Sequence, residues 1–147
     1  MKNILEVENL SKSFGKKMAV KGISFQIAEG EIFGLLGPNG SGKTTTLGMI
    51  LGLLSPNQGN VKIFGSEDLD AQRLKCGALI ESTNYYPDLS ALANLKIVCE
   101  IKGVSYSVIP GLLERVGLAD EMKSKVKTFS LGMKQRMMIA SALIGDP

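Results

Sequence analysis

Gly37, Pro38, Asn39, Gly40, Ser41, Gly42, Lys43, Thr44 is the stretch on which the reading of this chain turns. Two glycines enclosing four residues, followed by Lys and Thr, have the spacing of a phosphate loop. Glycines let backbone N–H groups turn inward around a triphosphate, where a Cβ would block the approach. In that reading Lys43 reaches the β and γ phosphates, the Thr44 hydroxyl ligates Mg²⁺, and Thr45 suits the α phosphate. The helix that begins here turns its positive end toward the anion.

The flanks agree. Glu31 to Leu36 is a short apolar run that reads as a buried strand, and a helical pattern follows the loop, with Leu47, Ile50, Leu51 and Leu54 spaced as one apolar face. Ser55, Pro56, Asn57, Gln58, Gly59 is expected to end that helix. Strand, loop and helix is the setting a phosphate loop requires. The plain alternative is a glycine-rich turn that binds nothing; the complete motif in its complete context favours the phosphate loop.

Composition narrows the class. The 147 residues suffice for a real core, and 44% hydrophobic with 21% charged residues reads as globular and soluble. A net charge of +3 without long basic runs gives no nucleic-acid footprint. Cys76 and Cys99 stand alone, with no His to complete a metal site, and read as two reduced, buried thiols. No apolar stretch of about 18 residues and no signal-like N-terminus is present, so work at a membrane would need a partner that supplies the span.

Along the chain, residues 3 to 8 with Ile4, Leu5 and Val7 read as a strand, and Ile23, Phe25, Ile27 alternate as a second. Ser11 to Lys17 between them reads as a polar loop around Phe14. Phe14 has two readings: a face that stacks on adenine, or the lid of a small apolar patch. Gly59 to Gly65, with Val61, Ile63 and Phe64, is a further short strand, and residues 68 to 75 add a helical turn or two.

Gly77, Ala78, Leu79, Ile80, Glu81 reads as a buried strand ending in an acid, which invites a rival role for Glu81 as the metal-holding carboxylate of a phosphate-loop enzyme. Tyr85 and Tyr86 fall in a polar, aromatic loop. Ser90 is expected to cap a helix running to about Lys102 with Leu92, Leu95 and Cys99 on one face, and Ser107 to cap another that Gly117 ends. Its stripe is Val108, Ile109, Leu112, Leu113 and Val116. Lys123 to Thr128 reads as a basic, solvated connection. In the helix after Ser130, Met133, Met137, Ala140 and Ile144 share a face, either a Met-rich binding surface or ordinary core.

Taken together, the chain resembles the ATP-binding cassettes of ABC transporters over its whole length. Phe14 matches that family's adenine-stacking aromatic. Ser130, Leu131, Gly132, Met133, followed by Lys134, Gln135, Arg136, is similar to its L-S-G-G-Q signature and the basic residue, Gln and Arg behind it. Leu131 replaces a usual glycine and Met133 a usual Gln. Glu81 takes the place of the Q-loop glutamine, and an acid there before a Tyr-Tyr-Pro loop is similar to bacitracin and lantibiotic exporter cassettes.

The resemblance implies an α/β fold: a phosphate-loop NTPase core with an antiparallel β subdomain and a helical subdomain. It places the β subdomain at about 1–30 and 59–67, the core at about 31–58 and 76–81, and the Q-loop, helical subdomain and signature helix at about 82–147. It also implies ATP and Mg²⁺ as cofactors, Thr44 and Glu81 toward the metal, and Ser130 with the Gly132 backbone toward ATP held by a second subunit. A homodimer bound to a membrane permease is the implied assembly, cytoplasmic and peripheral at the inner face of the membrane, with residues 81 to 95 facing the permease.

The family pattern continues with a strand bearing a metal-binding Asp and catalytic Glu, then a switch His. These 147 residues contain no His, and Asp146 sits before the terminal Pro in a turn. The expectation is a cassette truncated before that strand, without a catalytic residue of its own, binding nucleotide but not hydrolysing it. Two strands with open ladders would leave it marginally folded or aggregation-prone. A phosphate-loop kinase would need an acceptor site and a lid of arginines, for which only Arg73, Arg115 and Arg136 exist. A non-catalytic nucleotide-binding or dimerisation module is the other alternative.

Overall fold

A computed structural model describes residues 2–79 and 85–147, which divide into two compact units, Met1–Arg73 and Leu74–Pro147. In the first, β1 (Asn3–Phe14), β2 (Lys17–Ala28) and β3 (Gln58–Ile63) form an antiparallel sheet in the order β2-β1-β3. Val7 at its centre faces Phe25 on one side and Val61 on the other. Val7, Leu10, Val20, Val61 and Ile63 are buried.

The strands are longer than the alternation of apolar residues predicts. Ser11, Lys12 and Ser13 belong to β1, and the expected polar loop shrinks to the two residues Gly15 and Lys16, with Phe14 paired to Lys17. An antiparallel ribbon with one wet face accepts polar side chains wherever the neighbouring strand supplies backbone partners. Pattern reading has no access to that partner. Phe64 lies past the end of β3 in a left-handed turn conformation, φ 51°.

The helix after the phosphate loop is α1 (Lys43–Ile50), and its buried side is Thr46, Met49 and Ile50. Leu47, expected on that side, is exposed. The helix also stops before the expected Ser55–Gly59 terminator. Gly52, at φ 69°, closes it with two backbone bonds, Leu53 N–H to Gly48 O (2.8 Å) and Gly52 N–H to Met49 O (3.1 Å). Leu54 then folds back against Gly48, where a Cβ would come within 2.9 Å of Leu54 Cδ1.

Residues 31–36 do not form the expected strand. They have no regular structure, Ile32 is 100% exposed and Leu36 92%. A buried parallel strand is created by its neighbours, and no strand among the described residues pairs with this one. Phe33 is held differently, stacked on Phe25 with ring centroids 4.8 Å apart. The short α2 (Leu69–Arg73) fulfils the expected helical turn.

The second unit is helical: α3 (Ala91–Lys102), α4 (Ile109–Arg115) and α5 (Leu131–Ala142) enclose a core that includes Leu95, Cys99, Ile109, Leu113, Met137 and Ile144. Ser90 caps α3 as expected, its hydroxyl accepting from Ala93 N–H at 3.1 Å. The expected Ser107 cap is displaced to Ser105, whose hydroxyl caps a single 3-10 turn, Tyr106–Val108, ahead of α4. Gly117 ends α4 as read. The methionine stripe is core: Met137, Ala140 and Ile144 are buried and Met133 packs against them.

Three expectations change here. The 123–128 connection is not simply solvated, because Val126 is fully buried in a 3-10 turn, Val126–Thr128. Of the expected buried strand 77–81, residues 77–79 have no regular structure and Leu79 is exposed, while Ile80 and Glu81 lie outside the described residues. Both cysteines are reduced thiols and burial pushes both up, but Cys76 is only partly buried. Beside it, the Lys102 ammonium donates to Ile144 O at 2.7 Å and Cys76 O at 3.3 Å, and burial holds that amine below its ordinary value.

Candidate functional site

The phosphate loop is built by two glycines and one lysine. Gly40 and Gly42 both take left-handed backbone angles, φ 80° and 94°, and Ser41 N–H closes a turn onto Pro38 O at 3.2 Å. Successive turns of this kind gather N–H groups into an anion-binding concavity. Gly42 is also the residue before α1, where Thr46 N–H takes its carbonyl at 2.8 Å, so the loop opens directly onto a helix N-terminus.

Gly42 has a second reason to be glycine. A Cβ there would lie 2.3 Å from the Ala19 carbonyl oxygen in β2. At the loop's other end a Cβ on Gly37 would lie 2.6 Å from Ser41 Oγ. The backbone is therefore seated against the sheet at one end and closed on itself at the other.

The Lys43 ammonium reaches back across this loop and donates to Gly37 O at 2.7 Å and Pro38 O at 2.8 Å. Neutral carbonyls are weaker partners for a cation than phosphate oxygens, so an incoming phosphate can replace them without a large rearrangement. Thr44 is exposed on the first turn, Thr45 half-buried and Thr46 buried. Of these three, Thr44 and Thr45 have surface exposed to solvent. The Thr44 hydroxyl fits Mg²⁺, which takes few protein oxygens and completes its shell with phosphates and water.

Phe14 ends β1 and is half exposed. Its strand is fastened in place: Ser13 N–H donates to Asn57 Oδ1 at 2.7 Å, Asn57 N–H to Ser11 O at 2.8 Å, and Lys12 Nζ to Ser55 O at 2.6 Å. The structure thus puts Phe14 and residues 37–45 in one compact unit, tied through the segment that follows α1. Glu81 lies outside the described residues. Among the described residues no cluster of three His, Cys, Asp or Glu could hold a metal.

In the second unit Ser130 is the N-cap of α5, its hydroxyl accepting from Met133 N–H at 3.3 Å. Leu131 is 74% exposed, Gly132 is exposed with open space where a Cβ would sit, and Met133 is half-buried. The result is an open helix N-terminus with a hydroxyl at its rim, suited to an anion. Arg136 does not line it. That guanidinium donates to Val116 O (3.2 Å) and Gly117 O (2.9 Å), capping the end of α4. Arg73 pairs with Asp70 at 3.0 Å. Each guanidinium is thus engaged within its own unit.

Sequence reasoning missed Asn94. It is buried in α3 and bonded on both sides of its amide: Tyr86 N–H donates to Oδ1 at 2.7 Å, and Nδ2 donates to Tyr86 O at 3.0 Å and Ser90 O at 3.0 Å. An Asn within an apolar helical stretch was the available signal. Nearby, Asp88 accepts from Lys127 Nζ at 2.7 Å, and this hydrogen bond and charge, with Lys125 adding, hold its carboxyl below the ordinary value.

A folded-state pKa that is depressed contributes stability above the unfolded value and loses it as pH falls through the folded one. Lys127→Ala is expected to return Asp88 toward its ordinary value. A carboxylate NMR titration checks this, and an unchanged midpoint would mean the pair does not persist in solution.

Residues 20–147 match the family model described as ABC transporter. The lantibiotic transport ATP-binding protein SrtF of Streptococcus pyogenes is 42% identical over 144 residues, 98% of this chain and 63% of that protein. The bacitracin transport ATP-binding protein BcrA of Enterococcus faecalis is 40% identical over 151 residues, all of this chain and 49% of that protein. A solved ATP-binding subunit of an ABC transporter superposes with TM-score 0.85 at 31% identity, covering 95% of this chain and 61% of that one. The chain spans between about half and under two thirds of each of these proteins.

Proposed function

Since the chain belongs to the ABC transporter family, we propose that it serves as the ATP-binding part of a transporter ATPase, coupling nucleotide to export through a separate permease. The observation that carries this is Lys43 reaching back to the Gly37 and Pro38 carbonyls across a loop that turns on the left-handed Gly40 and Gly42 at the start of α1. Gly37, Pro38, Asn39, Gly40, Ser41, Gly42 and Lys43 wrap the phosphates, Thr45 meets the α phosphate, Phe14 stacks on adenine, and Thr44 holds Mg²⁺ with help from Glu81. Bound Mg²⁺ neutralises charge that develops on the phosphates during transfer.

Ser130, Leu131, Gly132 and Met133 present an anion-accepting helix end to nucleotide held by a second copy. This makes the working unit a dimer, bound at the inner face of the cell membrane through its permease. Lantibiotic and bacitracin transport in the relatives' names favours antibiotic or peptide export and resistance as the substrate class here. The β subdomain (about 1–30 and 59–67), phosphate-loop core (about 31–58 and 76–81) and helical subdomain (about 82–147) are proposed as the divisions of the cassette.

For residues 1–147 taken by themselves the reading is binding without turnover, because the family resemblance places the catalytic Glu and the switch His after the signature helix, and these residues contain no His. The test pairs Mg-ATP binding by calorimetry with phosphate release, on these residues and on the natural gene product. Binding by both, with turnover in the natural product that needs Lys43, supports the reading. Turnover by residues 1–147 alone would overturn the division of labour. Binding and nucleotide-dependent self-association without turnover in either would favour the non-catalytic module.

A further inference from the structure

We infer that Asn94 is a positioning residue that makes the loop 86–90 and the N-cap Ser130 one mechanical body. The inference rests on the proposed assignments of that loop to the permease side and of Ser130 to nucleotide. The loop is clasped from two directions. From α3, the Asn94 amide holds Tyr86 by both its N–H and its carbonyl, and reaches the Ser90 carbonyl at 3.0 Å and that of Leu89 at 3.4 Å.

From the other side, Lys127 N–H donates to Pro87 O at 2.8 Å, Val126 N–H to Leu89 O at 3.0 Å, and Ala91 N–H to Ser124 O at 3.2 Å. The Lys127 ammonium adds its bond to Asp88. Lys127 is three positions before Ser130 in the chain. The intervening turn is closed by Thr128 Oγ1 on Lys125 O (2.8 Å) and Phe129 N–H on Val126 O (3.1 Å), with Val126 and Phe129 buried in the core.

A force on the loop therefore meets no free joint before the α5 cap. Removing the Asn94 amide takes away the four hydrogen bonds that hold Tyr86, Leu89 and Ser90 at the loop's root, and the ladder to residues 126 and 127 is the next part to loosen. A displacement imposed on residues 86–90 by a membrane partner would then be absorbed in the loop and would not reach Ser130.

Amide hydrogen exchange on the natural gene product, without nucleotide, tests this apart from the function it serves. Asn94→Leu is expected to speed exchange about tenfold or more at Tyr86, and also at Val126, Lys127 and Met133, whose N–H is held by Ser130. Asn94→Asp, which keeps the acceptor for Tyr86 N–H and loses the donors, covers the case in which Asn94→Leu fails to fold. It should spare Tyr86 while still loosening Lys127 and Met133. Ser105→Ala, which weakens the same unit at a distant cap, is the control.

Acceleration confined to residues 86–90, or an equal response of Met133 to Ser105→Ala, overturns the inference. A failure of nucleotide binding on the same protein would count against the proposed function and leave the exchange result standing.

Discussion

Lys43→Ala is expected to weaken Mg-ATP binding roughly a hundredfold, about 3 kcal/mol, because it removes charge-assisted hydrogen bonds to two phosphates at once. Among the described residues the same ammonium holds the carbonyls of Gly37 and Pro38, an arrangement open to solvent. The substitution should therefore leave thermal stability nearly unchanged. Calorimetric titration and a melting curve on the same preparation separate the two effects. A variant that binds as tightly as the parent would remove Lys43 from the site, and one that unfolds would make its role structural.

Gly42→Ala is expected to cost about 3 kcal/mol or more of stability in the first unit, for two causes that add. A side chain at φ 94° is strained whatever the space, and the new Cβ would lie 2.3 Å from the Ala19 carbonyl. Backbone cannot retreat as a flexible side chain can, so β2 or the first turn of α1 must move. Gly40→Ala isolates the first cause, since φ is 80° there but nothing lies within 4 Å of the added carbon.

Gly40→Ala should cost only about 1–2 kcal/mol by strain alone. Chemical denaturation of both variants gives the comparison. Equal losses would show that the approach of Gly42 to β2 is not what makes glycine necessary there.

The legible parts of this molecule are those whose causes lie within a few residues. Ser90 can be read as a cap because a hydroxyl satisfies an N–H three positions ahead, as it does here and as Ser130 also proves to do. The apolar faces of α4 and α5 follow from period, except that Val108 of the expected stripe is exposed in the turn before α4, and the choice of ordinary core for the methionine stripe needed only the knowledge that such stripes are usually buried. The Ser107 cap failed because Ser105, two positions earlier, competes for the same turn and wins it. Local rules rank such rivals poorly.

Where the cause lies across the fold, sequence gave less. The buried side of α1 is set by what packs on it, which turned Thr46 inward and left Leu47 outside. The length of β1 and β2 depends on each other's backbone groups, so polar Ser11 to Ser13 continue a strand that composition would end. Asn94 shows in the sequence only as a polar residue in an apolar stretch, and its partners Tyr86, Leu89 and Ser90 are main-chain groups brought to it by the turn before α3.

What the sequence determined by itself is the candidate chemistry: a glycine spacing that fits a backbone-lined anion site, followed by Lys43 and Thr44, and a helix that starts after Ser130. What only the tertiary structure decided is the support of that chemistry: Gly42 seated against Ala19, Phe14 anchored through Asn57, and Ser130 tied through residues 126–129 to the loop at Asn94. The reason is range. Backbone angles, capping bonds and helical period act within about one helical turn, whereas strand pairing and burial are properties of the neighbours, as residues 31–36, apolar and unpaired, show most plainly.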